Sequence, residues 1–271
     1  MPELGEVEYY RRRWDAGLGG KILKVEAHPK ARPLKGVDVP ALTRALEGAR
    51  LASSSRHGKQ LFFYFQPRAV LGLHMGMTGH LSVREPGYEA KRHDHLVLRQ
   101  KERTLVFEDF RMFGRVRFSQ GKEKAAWEKD LPPEILDPAF TLPYLAAALK
   151  GRRGPLKALL LDQAIFPGIG NWMADEVLWL ARIAPRQAAG SLPPQAVRAL
   201  HDALRKVCRV SLRDIPKGHG NGEDWGELPQ GWLFAVRWKK GGDCPRCGKP
   251  LKHAAIGGRT ACWCPHCQLA K

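Results

Sequence analysis

The stretch Leu156–Glu176, LKALLLDQAIFPGIGNWMADE, holds two helix-like patterns with a glycine-rich turn between them. The apolar spacing predicts one helix over 156–163 and a second over 171–183, NWMADEVLWLARI. Phe166-Pro167-Gly168-Ile169-Gly170-Asn171 separates them, because a proline and two glycines cannot carry a helix through. Glycines leading into a helix N terminus expose backbone N–H groups at the positive end of the dipole. That is a phosphate-binding arrangement, with Asn171 at the cap. An ordinary helix–helix turn fits the same spacing nearly as well.

Helical patterns also run over 143–150 and 194–214 on either side of this segment, with Pro194 suited to a first turn. Upstream the texture is different. From Lys21 to about Phe118 the sequence breaks into short period-two runs, among them QLFFYF, AVLGLHM, DHLVLR and TLVFED, parted by turn residues. Such runs predict an antiparallel sandwich or a barrel. Helices are expected over 3–17 and 40–48. The charged, proline-containing segment 121–138 reads as a domain boundary. Residues 216–232, PKGHGNGEDWGELPQGW, are too polar and glycine-rich for a core and read as a long loop of the kind that closes over ligands or stays disordered.

Downstream lie Cys244-Pro-Arg-Cys247 and Cys264-Pro-His-Cys267. Two C-x2-C knuckles sixteen residues apart can place four thiolates at tetrahedral corners, which suits one structural zinc ion; a pair of disulfides is the alternative. Cys262 is left over and is expected to pack within a strand. Between the knuckles the tip Ile256-Gly257-Gly258-Arg259-Thr260 projects one guanidinium, either solvated or able to clamp a phosphate.

At the other end, Met1-Pro2-Glu3 predicts a mature chain beginning at Pro2. A free secondary α-amine titrates near ~7.7–8.0, so part of it is nucleophilic at neutral pH. Glu3 stands beside it as a proton shuttle. Composition agrees with a polyanionic partner: Lys+Arg number 45 against 27 Asp+Glu, a net charge of +18. No apolar run is long enough for a membrane span and no lipidation motif is present, so a cytoplasmic, nucleoid-associated protein is expected.

Together these stretches resemble the bacterial formamidopyrimidine-DNA glycosylase and endonuclease VIII superfamily. The match covers Pro2-Glu-Leu-x-Glu-Val-Glu, the segment LKALLLDQAIFPGIGNWMADE, HMGMTGHL, and the ribbon ending GGRTACWCPHCQ. The Pro-Glu-Leu start places the chain nearer the formamidopyrimidine branch. The resemblance implies an α+β fold: an N-terminal antiparallel β-sandwich with flanking helices (1–130), a helix–two-turn–helix domain with a lesion lid (131–240), and a four-cysteine zinc ribbon (241–271). It implies a monomeric glycosylase and lyase acting on damaged double-stranded DNA, with oxidised purines as substrates and oxidised pyrimidines as the second choice. By position, Pro2 would form a Schiff base, with Glu3 and Glu6 as acidic partners. Lys59 would serve β-elimination and Arg259 δ-elimination. His74, His93, Arg152, Lys157 and Asn171 would touch the strand backbone. Met77, Arg111 and Phe113 would fill the gap left by an everted base. The chain departs from the family's usual pattern at Gly5, at Phe110 and Met112, and in the lid, where His219, Trp225 and Trp232 are unusual.

Overall fold

A computed structural model describes residues 1–28, 30–121, 125–218, 225–239 and 241–269. By contacts the chain divides into two units. The first holds Met1–Pro2, Glu6–Leu131 and Pro216–Trp225; the second holds Glu3–Gly5, Pro132–Ile215 and Gly226–Lys271.

The first unit is a sandwich of two four-stranded antiparallel sheets. One has the order β1-β6-β7-β5, from Lys24–Ala27, Asp94–Arg99, Thr104–Asp109 and Gly79–Arg84. The other has the order β2-β3-β4-β8, from Arg50–His57, Gln60–Gln66, Ala69–His74 and Arg115–Gln120. Each period-two run in the sequence became a strand, and the sandwich was formed rather than the barrel. In β3 the inward set Leu61, Phe63 and Phe65 is buried, as are Leu96 and Leu98 of β6 and Leu105 and Phe107 of β7. Alternation of this kind fixes register, because a one-residue slip would turn every apolar side chain to the wrong face.

Further elements pack on both sheets. Helix α1 (Leu4–Asp15) and the chain after it lie against β5 and β7, where a Cβ on Gly17 would come within 2.8 Å of a Leu105 methyl group. Gln100 secures the turn by donating to the carbonyls of Gly17 and Gly20. Trp14 is wholly buried: its ring centroid lies 4.8 Å from that of Phe63, and its indole N–H donates to the Ser82 carbonyl at 3.2 Å. One side chain thus touches a strand of each sheet. On the other sheet, Trp127 stacks on Phe62 at 5.6 Å over the bare backbone of Gly72. The boundary segment read from its charge and prolines therefore contributes a covering aromatic to the sandwich. Helix α2 (Val39–Leu46) starts at Asp38, whose carboxylate accepts the Ala41 N–H, and buries Leu42 and Leu46.

The second unit is built on α3 (Leu142–Leu149), α4 (Leu156–Leu159), α5 (Asn171–Leu180), the 21-residue α6 (Pro194–Asp214) and a hairpin of β9 (Lys252–Ile256) and β10 (Arg259–Trp263). Helix α4 is one turn long, not the eight residues its apolar spacing predicts. Asp162 ends it: the backbone closes back on Ala158 and Leu159, and the Asp162 carboxylate takes the Ala164 N–H at 3.0 Å. A short acidic side chain that bonds the local backbone competes with the helix ladder. Helix α5 stops at Leu180, short of 183, with Arg182 in the left-handed region at φ 58°. Helix α6 buries Val197, Leu200, Leu204, Val207, Cys208 and Ser211 along one stripe, and Cys208 is part of that packing. No helix is long and apolar enough to cross a membrane among the described residues. Of the loop 216–232, residues 219–224, including His219, lie outside the described residues.

Trp14→Ala should cost about 3–5 kcal/mol, the usual penalty for emptying a large aromatic site. Thermal or urea unfolding followed by β-sheet circular dichroism checks this; an unchanged midpoint would mean the two sheets do not depend on that ring.

Candidate active site and nucleic-acid interface

The N-terminal residues and the Phe166–Asn171 turn come together in the second unit. Glu3 is buried, and its two carboxylate oxygens accept the backbone N–H groups of Trp172 and Met173, each at 3.0 Å. These are the second and third residues of α5, whose N–H groups have no partner inside the helix. An anionic side chain suits the positive end of the dipole. Amides that could have bound a phosphate are thus taken by the chain's own glutamate.

The glycines of the turn are explained by the same contact. A Cβ at Gly170 would lie 2.1 Å from the Glu3 carboxyl carbon, and one at Gly168 would lie 2.6 Å from Leu4. The Leu4 N–H donates to the Gly168 carbonyl at 3.2 Å. The departure at position 5 has a local cause as well. A Cβ at Gly5 would lie 2.3 Å from the Ser211 hydroxyl and 2.6 Å from its carbonyl, so α6 leaves room for glycine alone. Pro2 is half-buried and follows Met1 in the structure, and Glu6 is buried.

In the first unit Lys59 is buried at the tip of the β2–β3 hairpin, where Gly58 takes φ 55°. His74 ends β4, paired in register with Gln60 on one side and Arg115 on the other. Burial, helped by the charges of Lys59, Arg117 and Arg115, lowers the His74 pKa and favours a neutral ring. Its Nδ1 accepts the Gly76 N–H at 3.1 Å, which leaves the ring proton on Nε2 as a donor. Lys59, Arg115 and Arg117 form a cationic group around His74 at one end of this sheet.

Met77, Arg111 and Phe113 occupy two turns knit together by one buried acid. The Thr78 hydroxyl donates to Asp109 at 2.6 Å, and the backbone N–H groups of Arg111 and Gly114 donate to the same carboxylate at 3.2 and 2.6 Å. Gly76 is required because its Cβ would meet the Phe113 backbone at 2.4 Å. Arg111 and Phe113 are exposed, and the Arg111 guanidinium sits 4.8 Å over the Phe113 ring. His93 is half-buried beside Phe110.

The second unit holds the remaining candidates. Arg152 and Arg259 are exposed and Asn171 is half-buried. Arg259 follows the two-residue turn Gly257-Gly258, both with positive φ, and a Cβ on Gly257 would meet Ala158 of α4 at 2.6 Å. The ribbon tip is therefore seated on α4. Lys157 differs from expectation: its side chain is wholly buried, and its amine donates to the Asn171 carbonyl and the Asp175 carboxylate, each at 2.6 Å. It faces inward where the resemblance assigned a strand contact. Arg237 donates to the other Asp175 oxygen at 2.6 Å, and the Cys262 N–H does so at 3.2 Å. Glu176 beside it accepts the N–H groups of Leu233 and Phe234, and burial pushes its carboxyl up to about 7. Asp109, Asp175, Glu176 and Arg237 were not singled out in the sequence. The signal for two of them was there, as adjacent acids inside an otherwise apolar helix.

Cys244, Cys247, Cys264 and Cys267 bring their sulfurs within 4.8 Å of one another. Sγ–Sγ separations are 4.0 Å for Cys244–Cys267 and 3.6 Å for Cys247–Cys264. A tetrahedron with Zn–S bonds of about 2.3 Å has edges of about 3.8 Å, so the four fit one zinc ion, and a disulfide of about 2.0 Å does not describe them. The Trp179 indole N–H donates to Cys244 at 3.3 Å, and Gln268 ties the second knuckle to the Ile183 carbonyl. With four thiolates the ion is structural. Cys262 is buried in the cluster beneath with Trp179, Leu233 and Leu251.

Gly170→Ala should force the Glu3 carboxylate off α5 and destabilise the second unit by roughly 1–3 kcal/mol, as overpacking does. Thermal unfolding reads this; wild-type stability would show that the amides do not depend on Glu3.

Comparison with known proteins adds the family. Residues 1–116 match the formamidopyrimidine-DNA glycosylase N-terminal domain, 131–219 its H2TH domain, and 241–270 the zinc finger found in FPG and IleRS. The chain is 35% identical over 280 residues to the formamidopyrimidine-DNA glycosylase of Chloroflexus aurantiacus, covering 99% of this chain and 98% of that one. It is 36% identical over 275 residues to that of Thermus thermophilus, with coverage of 99% and 98%. Among solved structures it is similar to Lactococcus lactis Fpg in complex with abasic-site DNA, with a TM-score of 0.87 and 29% identity over 98% of this chain and 99% of that one. The same protein in complex with DNA containing N7-benzyl-Fapy-dG gives a TM-score of 0.88 at 27% identity, covering 99% and 100%. From its amino acids, its fold and its cysteine cluster, the chain belongs to the formamidopyrimidine-DNA glycosylase family and is a zinc-finger DNA glycosylase of DNA repair.

Proposed function

We propose that this chain excises oxidised purines, 8-oxoguanine and formamidopyrimidines, from double-stranded DNA and then cuts the strand. It would do so as a cytoplasmic, nucleoid-associated monomer divided into a catalytic sandwich (1–130), a helix–two-turn–helix domain with its lid (131–240) and a zinc ribbon (241–271). The observation that carries the reading is the seat of Glu3 on the Trp172 and Met173 amides, which fixes the chain end to which Pro2 is joined. A nucleophile held in one orientation gains most of what proximity can give.

Removal of Met1 makes Pro2 a secondary amine. Its lone pair bonds to C1′ of the everted nucleotide as the bond to the base breaks, and the departing base takes a proton. The nitrogen then gives up its proton, the C1′–O4′ bond breaks with O4′ taking a proton, and the C1′=N iminium so formed on the opened sugar withdraws electrons from C2′. Loss of the C2′ proton expels the 3′ phosphate (β-elimination), and loss of the C4′ proton expels the 5′ phosphate (δ-elimination). Glu3 and Glu6 handle protons on the nucleophile's turn. Lys59 serves the first elimination, within the cationic group that lowers the His74 pKa. Arg259 serves the second, from the ribbon tip seated on α4. The His74 Nε2–H, Arg152 and Asn171 contact the strand backbone, with His93. Lys157 contributes from inside, holding the first turn of α5 through the Asn171 carbonyl. Met77, Arg111 and Phe113 occupy the vacated stack, and net charge draws the duplex in. Cys244, Cys247, Cys264 and Cys267 hold the zinc ion, which supplies only the ribbon's shape.

A second reading is oxidised-pyrimidine excision, since a similar Lactococcus lactis protein is known in complex with oxidised-pyrimidine DNA. A DNA-binding homologue without lesion processing is the reading from another class. Borohydride reduction during incubation with an abasic-site duplex separates enzyme from binder: a covalent adduct is expected, and its absence with the N terminus correctly processed would leave only binding. A panel of oxidised-base duplexes then ranks purines against pyrimidines, and faster release of pyrimidines would overturn the substrate assignment.

A further inference from the structure

We propose that Phe110 is a second wedge residue, whose ring stacks on a nucleobase beside the vacated position while Phe113 fills it; this rests on the DNA-processing reading above. Among the described residues eight large hydrophobic side chains are exposed, and three of them, Phe110, Met112 and Phe113, fall within one four-residue turn. Phe110 is the most exposed of all at 70%. A cluster of that kind on a soluble surface marks a binding site.

The turn is held firmly while its side chains are bare. Asp109, with no exposed surface, takes bonds from the Thr78 hydroxyl and from the Arg111 and Gly114 amides. Its own N–H donates to the His93 carbonyl at 3.0 Å, and its carbonyl lies 2.8 Å from His95 Nε2 and accepts the Met112 N–H at 3.2 Å. Met112 takes the left-handed conformation at φ 55°, which keeps Phe110 and Phe113 on one short, tightly curved turn. The His93 ring meets Phe110 edge-on at 4.9 Å and 68°, steering it without covering its exposed surface.

The chemistry of the neighbours selects the occupant. Phe113 is flanked by two guanidiniums, Arg111 at 4.8 Å and Arg32 at 5.2 Å. A flat apolar group carried on a polyanion satisfies both the bare ring and the cations, and a nucleobase in a duplex is such a group. At this position, where the chain departs from the family's usual pattern, a phenylalanine adds an aromatic face, and side chains inserted between base steps hold open a distorted duplex. Asp109 is then the positioning residue for the wedge.

The test is fluorescence anisotropy with a duplex carrying a tetrahydrofuran abasic analogue, which is bound but carries no leaving group on C1′, and with the same strand unpaired. Phe110→Ala should weaken the duplex complex about tenfold or more, as loss of a base-stacking aromatic does. Phe110→Trp should restore it, and the single strand should be affected far less, having no stack to wedge. Equal binding by Phe110→Ala and wild type, an equal loss on the single strand, or no rescue by tryptophan would each overturn the proposal. So would a change of oligomeric state in Phe110→Ala without DNA, which would assign the ring to a second copy of the chain. Failure of wild type to form the borohydride adduct would instead count against the lyase reading and leave this binding result interpretable.

Discussion

Everything in the proposed chemistry depends on one carboxylate bound at one helix end. A chain terminus is ordinarily the least ordered part of a protein. Here the third residue, part of the second unit, takes two amide hydrogens at the start of α5. The two bonds are charge-assisted, aligned with the helix dipole and shielded by burial, which makes them stronger than neutral ones. They account for Gly168 and Gly170, where any side chain would occupy the space of Leu4 or Glu3. They also change the meaning of the glycine-rich turn. It resembles a phosphate loop because it binds an anion, but the anion belongs to the protein.

A second buried acid plays a comparable part for the ribbon. Asp175 accepts from Lys157, Arg237 and the Cys262 backbone, so α4, α5, the segment before the zinc knuckles and strand β10 meet at one carboxylate. Buried ion pairs are weak evidence for stability, since desolvation offsets much of the attraction, yet losing one partner strands the other charge. Their clearer consequence is geometric. Together with the bare Gly257 on α4, the network sets where Arg259 stands.

Much of this could be read in the sequence, for identifiable reasons. Strands of the sandwich are legible because their apolar residues alternate and their turns carry glycine. The four metal ligands are legible because C-x2-C spacing is a local constraint. What failed to show was set by contacts remote in sequence. Asp162 shortened α4 through its own backbone bonding, which the apolar period cannot report. Trp127 joined the sandwich from a segment whose charge and prolines suggested a linker. Lys157 carries the family's residue type, but its burial depends on Asp175, eighteen positions away, and sequence alone gave no means of orienting it. Gly5 stood out only as a departure from the family's pattern, and its reason, the close approach of Ser211, lies about two hundred residues away in the chain.

The central claim is that the covalent chemistry belongs to the amine joined to the anchored Glu3, and mapping the attachment tests it most directly. Proteolysis and tandem mass spectrometry of a borohydride-reduced complex should place the added sugar mass on Pro2, in a peptide that has lost Met1. The mass on the side chain of Lys59 or another lysine, or on a peptide that keeps Met1, would contradict the account.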